Sequence, residues 1–311
     1  MQEKKQKKTN SFIKHKNLYI MLLPGVIAMI VFCYLPMFGL ITVLQDYQIL
    51  EGVSFSEWVG FKFFKQQIFD MSGKSYMVLR NTLYIALIRI ATNFPLVIAF
   101  AVFLNHIQLK QLKSFMSTVS YLPYFISWAI VGGMMYGVLN SDTGILKNLF
   151  NEIGLPAINF YAEDQYWWAI LSVSSLWKTM GWSTLVYMSA MSCINTELYE
   201  AVEIDGGGKI RQIFTVTLPG IMNVILLQLI LDSANIFKDN YEQILAVTNG
   251  SDSLVEKTAV IGSVTYGIIA NPGDDSLSTA TTIGFIQGVL GFLMVLITNN
   301  IAKKTDNEGV L

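Results

Sequence analysis

The sequence predicts an all-α membrane protein, a polytopic bundle of six transmembrane helices. Of its 311 residues, 53% are hydrophobic and only 14% are charged, whereas a soluble domain usually has about 25% charged residues. The apolar residues are also gathered into long runs, as a helix surrounded by lipid requires. These observations exclude an ordinary soluble enzyme.

The apolar runs are long enough to cross the hydrocarbon core of a bilayer, which takes about 20 residues of helix. They are also too long and too continuous for the strands of a membrane barrel. Because unpaired backbone groups are costly in hydrocarbon, each run is predicted to be helical. The six predicted spans are residues 18–44, 76–104, 115–139, 166–191, 220–237 and 278–301.

The loop charges predict that both termini are cytoplasmic. With this orientation, the inner segments are the basic leader (1–17), a link at 105–114, a long loop at 192–219 and a tail (302–311), and they carry most of the loop Lys and Arg residues, as inner segments do. The transmembrane domain is then residues 18–301. The first span is predicted to be an uncleaved anchor, because it is long and no small-residue cleavage site follows it.

The inner loop at 192–219 predicts a short helix. Asn195 or Thr196 can cap its start, and three consecutive glycines from Gly206 can end it. One face carries small and mostly apolar residues at helical spacing: Leu198, Ala201, Val202 and Asp205. Two interpretations remain open, a helix resting on the membrane surface or a helix that docks into the groove of a cytoplasmic partner.

The same loop resembles the EAA loop of ABC-importer permeases. The likeness rests on Glu200-Ala201-Val202, on Asp205-Gly206, and on Leu218-Pro219. Val202 and Gly207 depart from the usual alanines of that motif. The resemblance implies a coupling helix that docks into the ATPase subunit. The residues implied in this coupling are Glu197, Tyr199, Glu200, Ala201, Val202, Asp205, Gly206, Leu218 and Pro219.

The resemblance extends over nearly the whole chain and points to the sugar-permease branch, with the closest likeness to LplB-like polysaccharide permeases. It rests on Leu22-Leu23-Pro24-Gly25, Tyr34-Leu35-Pro36-Met37, Trp58-Val59-Gly60, Arg80-Asn81-Thr82-Leu83, Leu122-Pro123 and Ser127-Trp128. It implies the fold of MetI-like and maltose-type permeases in a bacterial plasma membrane. The implied partners are a second homologous permease, an ATPase dimer that binds ATP and Mg, an extracytoplasmic substrate-binding protein (often a lipoprotein) and a saccharide. Nothing in the sequence points to nucleic acid.

Charges and tryptophans inside the spans are candidates for the substrate pathway. Intramembrane charges cost about 2.5–3.5 kcal/mol each on insertion scales, so they are often retained for function. The predicted pathway residues are Trp177, Lys178, Trp182, Arg89 and Asp232. The alternative is structural. Lys178 would then pair with Asp232 or another carboxylate, and Arg89 would anchor backbone carbonyls.

The sequence therefore predicts a transport subunit without catalytic residues of its own, with alternating access driven by a separate ATPase. An ion-coupled secondary transporter is the alternative, with Arg89, Lys178 and Asp232 as an ion relay. Such transporters usually contain inverted repeats, and the sequence shows none. A membrane-embedded enzyme would need catalytic groups that converge near one interface, and no such cluster stands out.

Overall fold

The computed structural model describes residues 16–48, 51–69, 73–237, 241–270 and 276–304. The leader before Lys16, the residues Lys238 and Asp239, and the tail after Lys304 lie outside the described residues. The described part is mostly helical, as the sequence predicts.

The α-helices are α1 (Lys16–Met29), α2 (Gly52–Phe55), α3 (Lys62–Phe69), α4 (Gly73–His106), α5 (Lys110–Tyr121), α6 (Trp128–Leu139), α7 (Ile145–Glu152), α8 (Trp167–Met191), α9 (Thr196–Ile204), α10 (Lys209–Gln212), α11 (Leu218–Gly220), α12 (Met222–Ala234), α13 (Tyr241–Thr248), α14 (Val255–Thr258), α15 (Ile261–Ala270) and α16 (Ser276–Lys304). Tighter 3₁₀ turns are Leu35–Leu44, Leu122–Phe125, Asp164–Tyr166 and Asp252–Leu254, and wider π turns are Ile30–Tyr34 and Ile213–Thr217. The strands β1 (Gln45–Asp46) and β2 (Glu57–Trp58) form an antiparallel ribbon.

Three helical segments within the described residues are long and apolar enough to cross a membrane. They are Lys16–Leu44, Tyr76–His106 and Leu277–Lys304, with 29, 31 and 28 residues, and they match the first, second and sixth predicted spans. Two bent helix pairs raise the number to five if each pair is one span. The fourth predicted span is the continuous 25-residue helix α8, whose serines, threonines and lysine make it more polar than these.

The third predicted span, residues 115–139, is not one continuous helix. The segment Lys110–Phe125 and the helix Trp128–Leu139 meet at a bend of 100°. Pro123 lacks a backbone N–H and restricts the residue before it, which disfavours a continuous helix. Ser127 then caps α6, because its side chain accepts a hydrogen bond from the Ile130 N–H at 3.4 Å. We call residues 122–127 the break.

The fifth predicted span, residues 220–237, begins as expected and is shorter. Helix α12 begins at Met222 and ends at Ala234, and a bend of 60° separates it from the segment Lys209–Gly220. The stretch that follows was predicted to be an outer loop, but α13 and α14 pack against the bundle. Ile244 and Val247 of α13 are buried with Trp167 and Leu171 of α8 in one apolar cluster.

The helices α4 and α8 form the central pair of the bundle, with the most extensive helix–helix contact. Val97 and Ala101 of α4 pack with Tyr187 and Met191 of α8 and with Ile221. In contrast, every residue from 16 to 41 is exposed in the isolated chain. An apolar helix with no protein around it is what a lipid environment accommodates.

Candidate functional site

Helix α9 has the start and the end that its sequence predicts. Asn195, rather than Thr196, is the cap: its side-chain oxygen accepts a hydrogen bond from the Glu197 N–H at 3.1 Å. At the other end, Gly206 has a φ of +75°, a left-handed conformation that glycine adopts without strain. The Gly207 N–H then donates to the Val202 carbonyl at 2.8 Å, which satisfies an end carbonyl of the helix.

Two side chains attach α9 to the rest of the chain. The hydroxyl oxygens of Tyr199 and Thr217 lie 3.1 Å apart in a hydrogen bond, and Thr217 is fully buried. The Gln212 side-chain amide donates to the Tyr199 carbonyl at 3.2 Å. Val202 is half-buried on the same side. These contacts connect α9 to the π turn that leads into α12.

The opposite face of α9 is open. Most of the predicted coupling residues lie on it, and Ile204 is 86% exposed. The prediction put Val202 on the same exposed face as Leu198 and Ala201. In the structure Val202 is half-buried, and Ile204 is exposed instead. Two apolar residues of the following segment, Ile210 and Phe214, extend this exposed surface. The exposed residues of α9 and its end are Glu197, Leu198, Glu200, Ala201, Glu203, Ile204, Asp205 and Gly206.

Leu218 and Pro219 start α11, directly after the π turn Ile213–Thr217. Proline is well placed here because the first turn of a helix leaves its N–H groups unpaired. The Thr217 side chain is therefore hydrogen-bonded to Tyr199 of α9. The Thr217 backbone belongs to the bent segment that leads into α12. The residues from the Glu200-Ala201-Val202 motif to Leu218-Pro219 thus form one connected structural unit.

A cavity of about 530 Å³ lies between α4, α8, α12 and α13. Helix α8 presents a hydroxyl at each turn, from Ser175 through Thr179 and Ser183 to Tyr187. Spacing of four residues places these groups on one helix face. Hydroxyl and amide groups that can both donate and accept hydrogen bonds suit a polar solute. The other lining residues are Arg89, Ile90, Asn93, Phe94, Val97, Gln228, Asp232, Asn235, Tyr241 and Glu242.

Two of the predicted pathway residues, Arg89 and Asp232, line this cavity. Glu242 joins them, so the described part of the lining contains one cation and two carboxylates. Trp177, Lys178 and Trp182 are not part of the lining. The sequence prediction selected the neighbouring face of α8 because tryptophan and lysine stand out in an apolar run. The regular hydroxyls at four-residue spacing were the signal for the cavity face.

The Lys178 ammonium points at the break instead. It donates hydrogen bonds to the carbonyls of Pro123 at 3.2 Å, of Tyr124 at 2.9 Å, and of Ile126. The rings of Tyr124 and Trp128 flank it, with centroids 5.8 and 5.4 Å from Nζ. Lys178 thus has three carbonyl partners at the break, and Asp232 is not among the acceptors recorded for it.

The Arg80-Asn81-Thr82 segment of α4 has a structural role. The fully buried Asn81 side chain donates to the carbonyls of Glu256 at 2.9 Å and Ala259 at 3.1 Å. The Thr82 hydroxyl accepts from the Ile261 N–H at 3.1 Å. This motif therefore holds α14 and α15 against α4.

Within the described residues, no group of three or more His, Cys, Asp and Glu side chains could hold a metal ion.

An apolar helical bundle with a polar cavity and an exposed, anchored helix defines a class of protein, the membrane permeases of transport systems. The chain belongs to the family described as binding-protein-dependent transport system inner membrane component, whose model matches residues 93–307. It is therefore a multi-pass protein of the bacterial plasma membrane and a subunit of a transporter. Membership in this family favours the ABC permease over the ion-coupled secondary transporter.

Relatives cover nearly the full chain. The polygalacturonan/rhamnogalacturonan transport system permease protein YteP of Bacillus subtilis is 32% identical over 99% of this chain and 94% of its own length. The protein LplB of the same organism is 33% identical over 96% of this chain and 92% of its own. The predicted resemblance to the LplB-like branch is confirmed.

Solved structures agree with this assignment. A chain in the crystal structure of a bacterial alginate ABC transporter, in complex with an alginate pentasaccharide-bound periplasmic protein, has a TM-score of 0.86 at 27% identity. The match covers 98% of this chain and all of that chain. The fold is therefore the MetI-like permease fold.

Proposed function

We propose that this permease imports oligosaccharides or fragments of polysaccharides by alternating access. It would work with a second homologous permease, a dimer of ATPase subunits that binds ATP and Mg, and an extracytoplasmic substrate-binding protein or lipoprotein. The carbohydrates in the names of the relatives support this substrate class. The hydroxyl and amide lining of the cavity is also suited to sugar hydroxyls.

The observation that carries the coupling proposal is the path from α9 to the cavity. The exposed face of α9 is free to enter a partner's groove, and Tyr199 ties the helix to Thr217. The same segment bends into α12, which places Gln228 and Asp232 on the cavity. The movement of α9 on closure of an ATPase dimer would therefore be transmitted to the substrate cavity through this one segment.

We propose the topology predicted from the loop charges, with six spans and cytoplasmic termini. The six spans are the three long segments, the two bent pairs and α8. This places α9 on the cytoplasmic side, where an ATPase is available. The pathway is proposed to include Arg89 and Asp232 in the cavity, with Trp177 and Trp182 outside its lining in this conformation.

Co-purification and a charge reversal test the coupling. Expressed with an ATPase subunit and a second permease of a saccharide importer, the wild-type chain should retain the ATPase in detergent and support ATP-driven uptake of a saccharide. Glu200→Arg should abolish ATPase retention, because it places a cation on the exposed docking face. Glu152→Arg, which reverses an exposed carboxylate at the end of α7, is the matched control. Equal uptake by Glu200→Arg and the wild type would refute the assignment of α9.

A further inference from the structure

Lys178 is a buried cation whose partners among the described residues are backbone carbonyls and not a carboxylate. It is 8% exposed, and its three donors reach three carbonyls of the break. The Pro123 carbonyl also accepts from the Ile126 N–H at 3.2 Å, so Lys178 chiefly serves the carbonyls of Tyr124 and Ile126. The 3₁₀ turn Leu122–Phe125 ends at this point. Because the carbonyl end of a helix is negative, a cation is favoured there. The break therefore needs this lysine to satisfy its backbone in a setting without water.

Two further residues of α8, Gly181 and Trp182, also pack closely against this part of the chain. A Cβ atom at Gly181 would overlap the backbone of Ser120 and Tyr121, so only glycine permits the approach. The Trp182 ring stacks on Tyr124, with centroids 4.7 Å apart and an interplanar angle of 6°. Lys178 and Trp182 thus connect α8 to the break, and Gly181 brings α8 close to the end of α5 directly before it.

The other side of the break leads to the cavity. Helix α6 follows the break and packs closely on α13. The two helices are so close at Gly132 that a Cβ atom there would overlap the Ala246 backbone. Helix α13 returns to α8 through the buried Gln243 side chain, which donates to the Leu171 carbonyl at 2.7 Å and to the Ser174 hydroxyl at 2.9 Å. The first residues of α13, Tyr241 and Glu242, line the cavity.

We propose that Lys178 is a positioning residue for transport, which keeps α6 and α13 fixed to α8 as one block without touching the substrate. The contacts form a closed ring from α8 through the break, α6 and α13 back to α8. In alternating access this block moves together with α4, which has the most extensive contact with α8, and against α12, which completes the cavity wall. The inference rests on the proposed transport function.

The test is Lys178→Met in the complete transporter, with its ATPase, second permease and binding protein. The substitution keeps the length of the side chain and removes all three donors. The saccharide transported per ATP hydrolysed should fall at least about tenfold, because the loss of one charge-assisted hydrogen bond already corresponds to this factor and three are lost. The relative preference among saccharides should stay as in the wild type, because the cavity lining is intact. A changed preference with normal coupling would show that Lys178 contacts substrate and would overturn the proposal.

Two further variants keep the test decisive. Gly181→Ala retains Lys178 but pushes α8 away from the end of α5. Because the break follows directly, this should lengthen the contacts of Lys178 and reproduce the coupling loss even if Lys178→Met does not assemble. Thr179→Val alters the cavity face one residue away and should change the KM for saccharide while coupling is retained. Normal coupling in Gly181→Ala would contradict the closed ring.

Hydrogen exchange on the purified complex gives a readout that does not depend on transport. Lys178→Met should speed exchange at the amides of residues 128–139 and 241–248 and leave α9 unchanged. Unchanged amide exchange in both segments would contradict the proposal that Lys178 fixes α6 and α13 to α8, whatever the substrate proves to be. If the wild-type complex transports no saccharide but the exchange result holds, the proposed substrate fails and the positioning role stands.

Discussion

At the scale of single residues, partners decide function more than residue type does. Lys178 and Arg89 are both cations within the spans, but Arg89 lines the polar cavity and Lys178 satisfies the carbonyls of the break. Insertion of such a charge costs about 2.5–3.5 kcal/mol, and three backbone carbonyls offset this cost for Lys178. Tyr199 shows the same dependence, since its hydroxyl bond to Thr217 fastens α9 to the segment that leads into α12.

The Tyr199–Thr217 bond can be tested by a double-mutant cycle. Tyr199→Phe and Thr217→Val each remove one partner of the hydrogen bond and keep the shape of the side chain. Each should lower the saccharide transported per ATP by several-fold, since a hydrogen bond of this kind contributes about 1 kcal/mol. The double variant should be no worse than either single variant, because the same bond is lost. Retention of the ATPase, measured by co-purification, serves as the control for the exposed face, and fully additive losses would contradict the linkage.

At the scale of elements, local signals gave the coupling helix its limits and interrupted the third span. Asn195 and Gly206 bound α9 as the sequence predicts. Pro123 and Ser127 were visible in the sequence, but the apolar run around them was read as one span. The bend of 100° was missed because hydropathy registers apolar residues and not backbone hydrogen bonds.

The end of α9 allows a matched pair of glycine substitutions. Gly206→Val places a β-branched residue at a φ of +75°, which costs on the order of 1–2 kcal/mol in the left-handed region. It should therefore loosen the end of α9 and reduce retention of the ATPase. Gly208→Ala is the control, because Gly208 has a φ of −78° and open space for a Cβ atom. Equal retention by both variants would show that the glycine conformation is not required.

At the scale of the whole molecule, the cavity joins helices that are far apart in sequence. Arg89 comes from α4, Asp232 from α12 and Glu242 from α13. Of the two mid-span cations Arg89 and Lys178, Arg89 is the one that lines the cavity. Among the described residues, the lining holds Asp232 and Glu242 beside the cation Arg89, so Arg89 is the described lining group that can attract an anionic sugar.

The charge balance of the cavity predicts opposite effects for two substitutions. Arg89→Gln should raise the KM for an anionic oligosaccharide about tenfold, since removing a charge changes the interaction by on the order of 1–2 kcal/mol. Asp232→Asn should lower that KM, because it removes a repelling charge. Both should leave the KM for a neutral oligosaccharide nearly unchanged in uptake assays. Trp177→Phe, outside the lining, is the control, and an equal shift for both sugars would contradict the electrostatic role.

The sequence by itself determined the helical membrane class, the approximate limits of most long helices and the limits of α9, because hydropathy, capping residues and glycine stops are local properties. The EAA-like residues and the wider motifs also determined the family, and the comparisons confirmed it. Only the tertiary structure decided which face of α8 meets the cavity, how α13 returns into the bundle, and that Lys178 holds the break. These depend on contacts such as those of Lys178 with Ile126 and of Gln243 with Leu171. Such contacts join residues more than 50 positions apart, and their partners are set by packing rather than by local pattern.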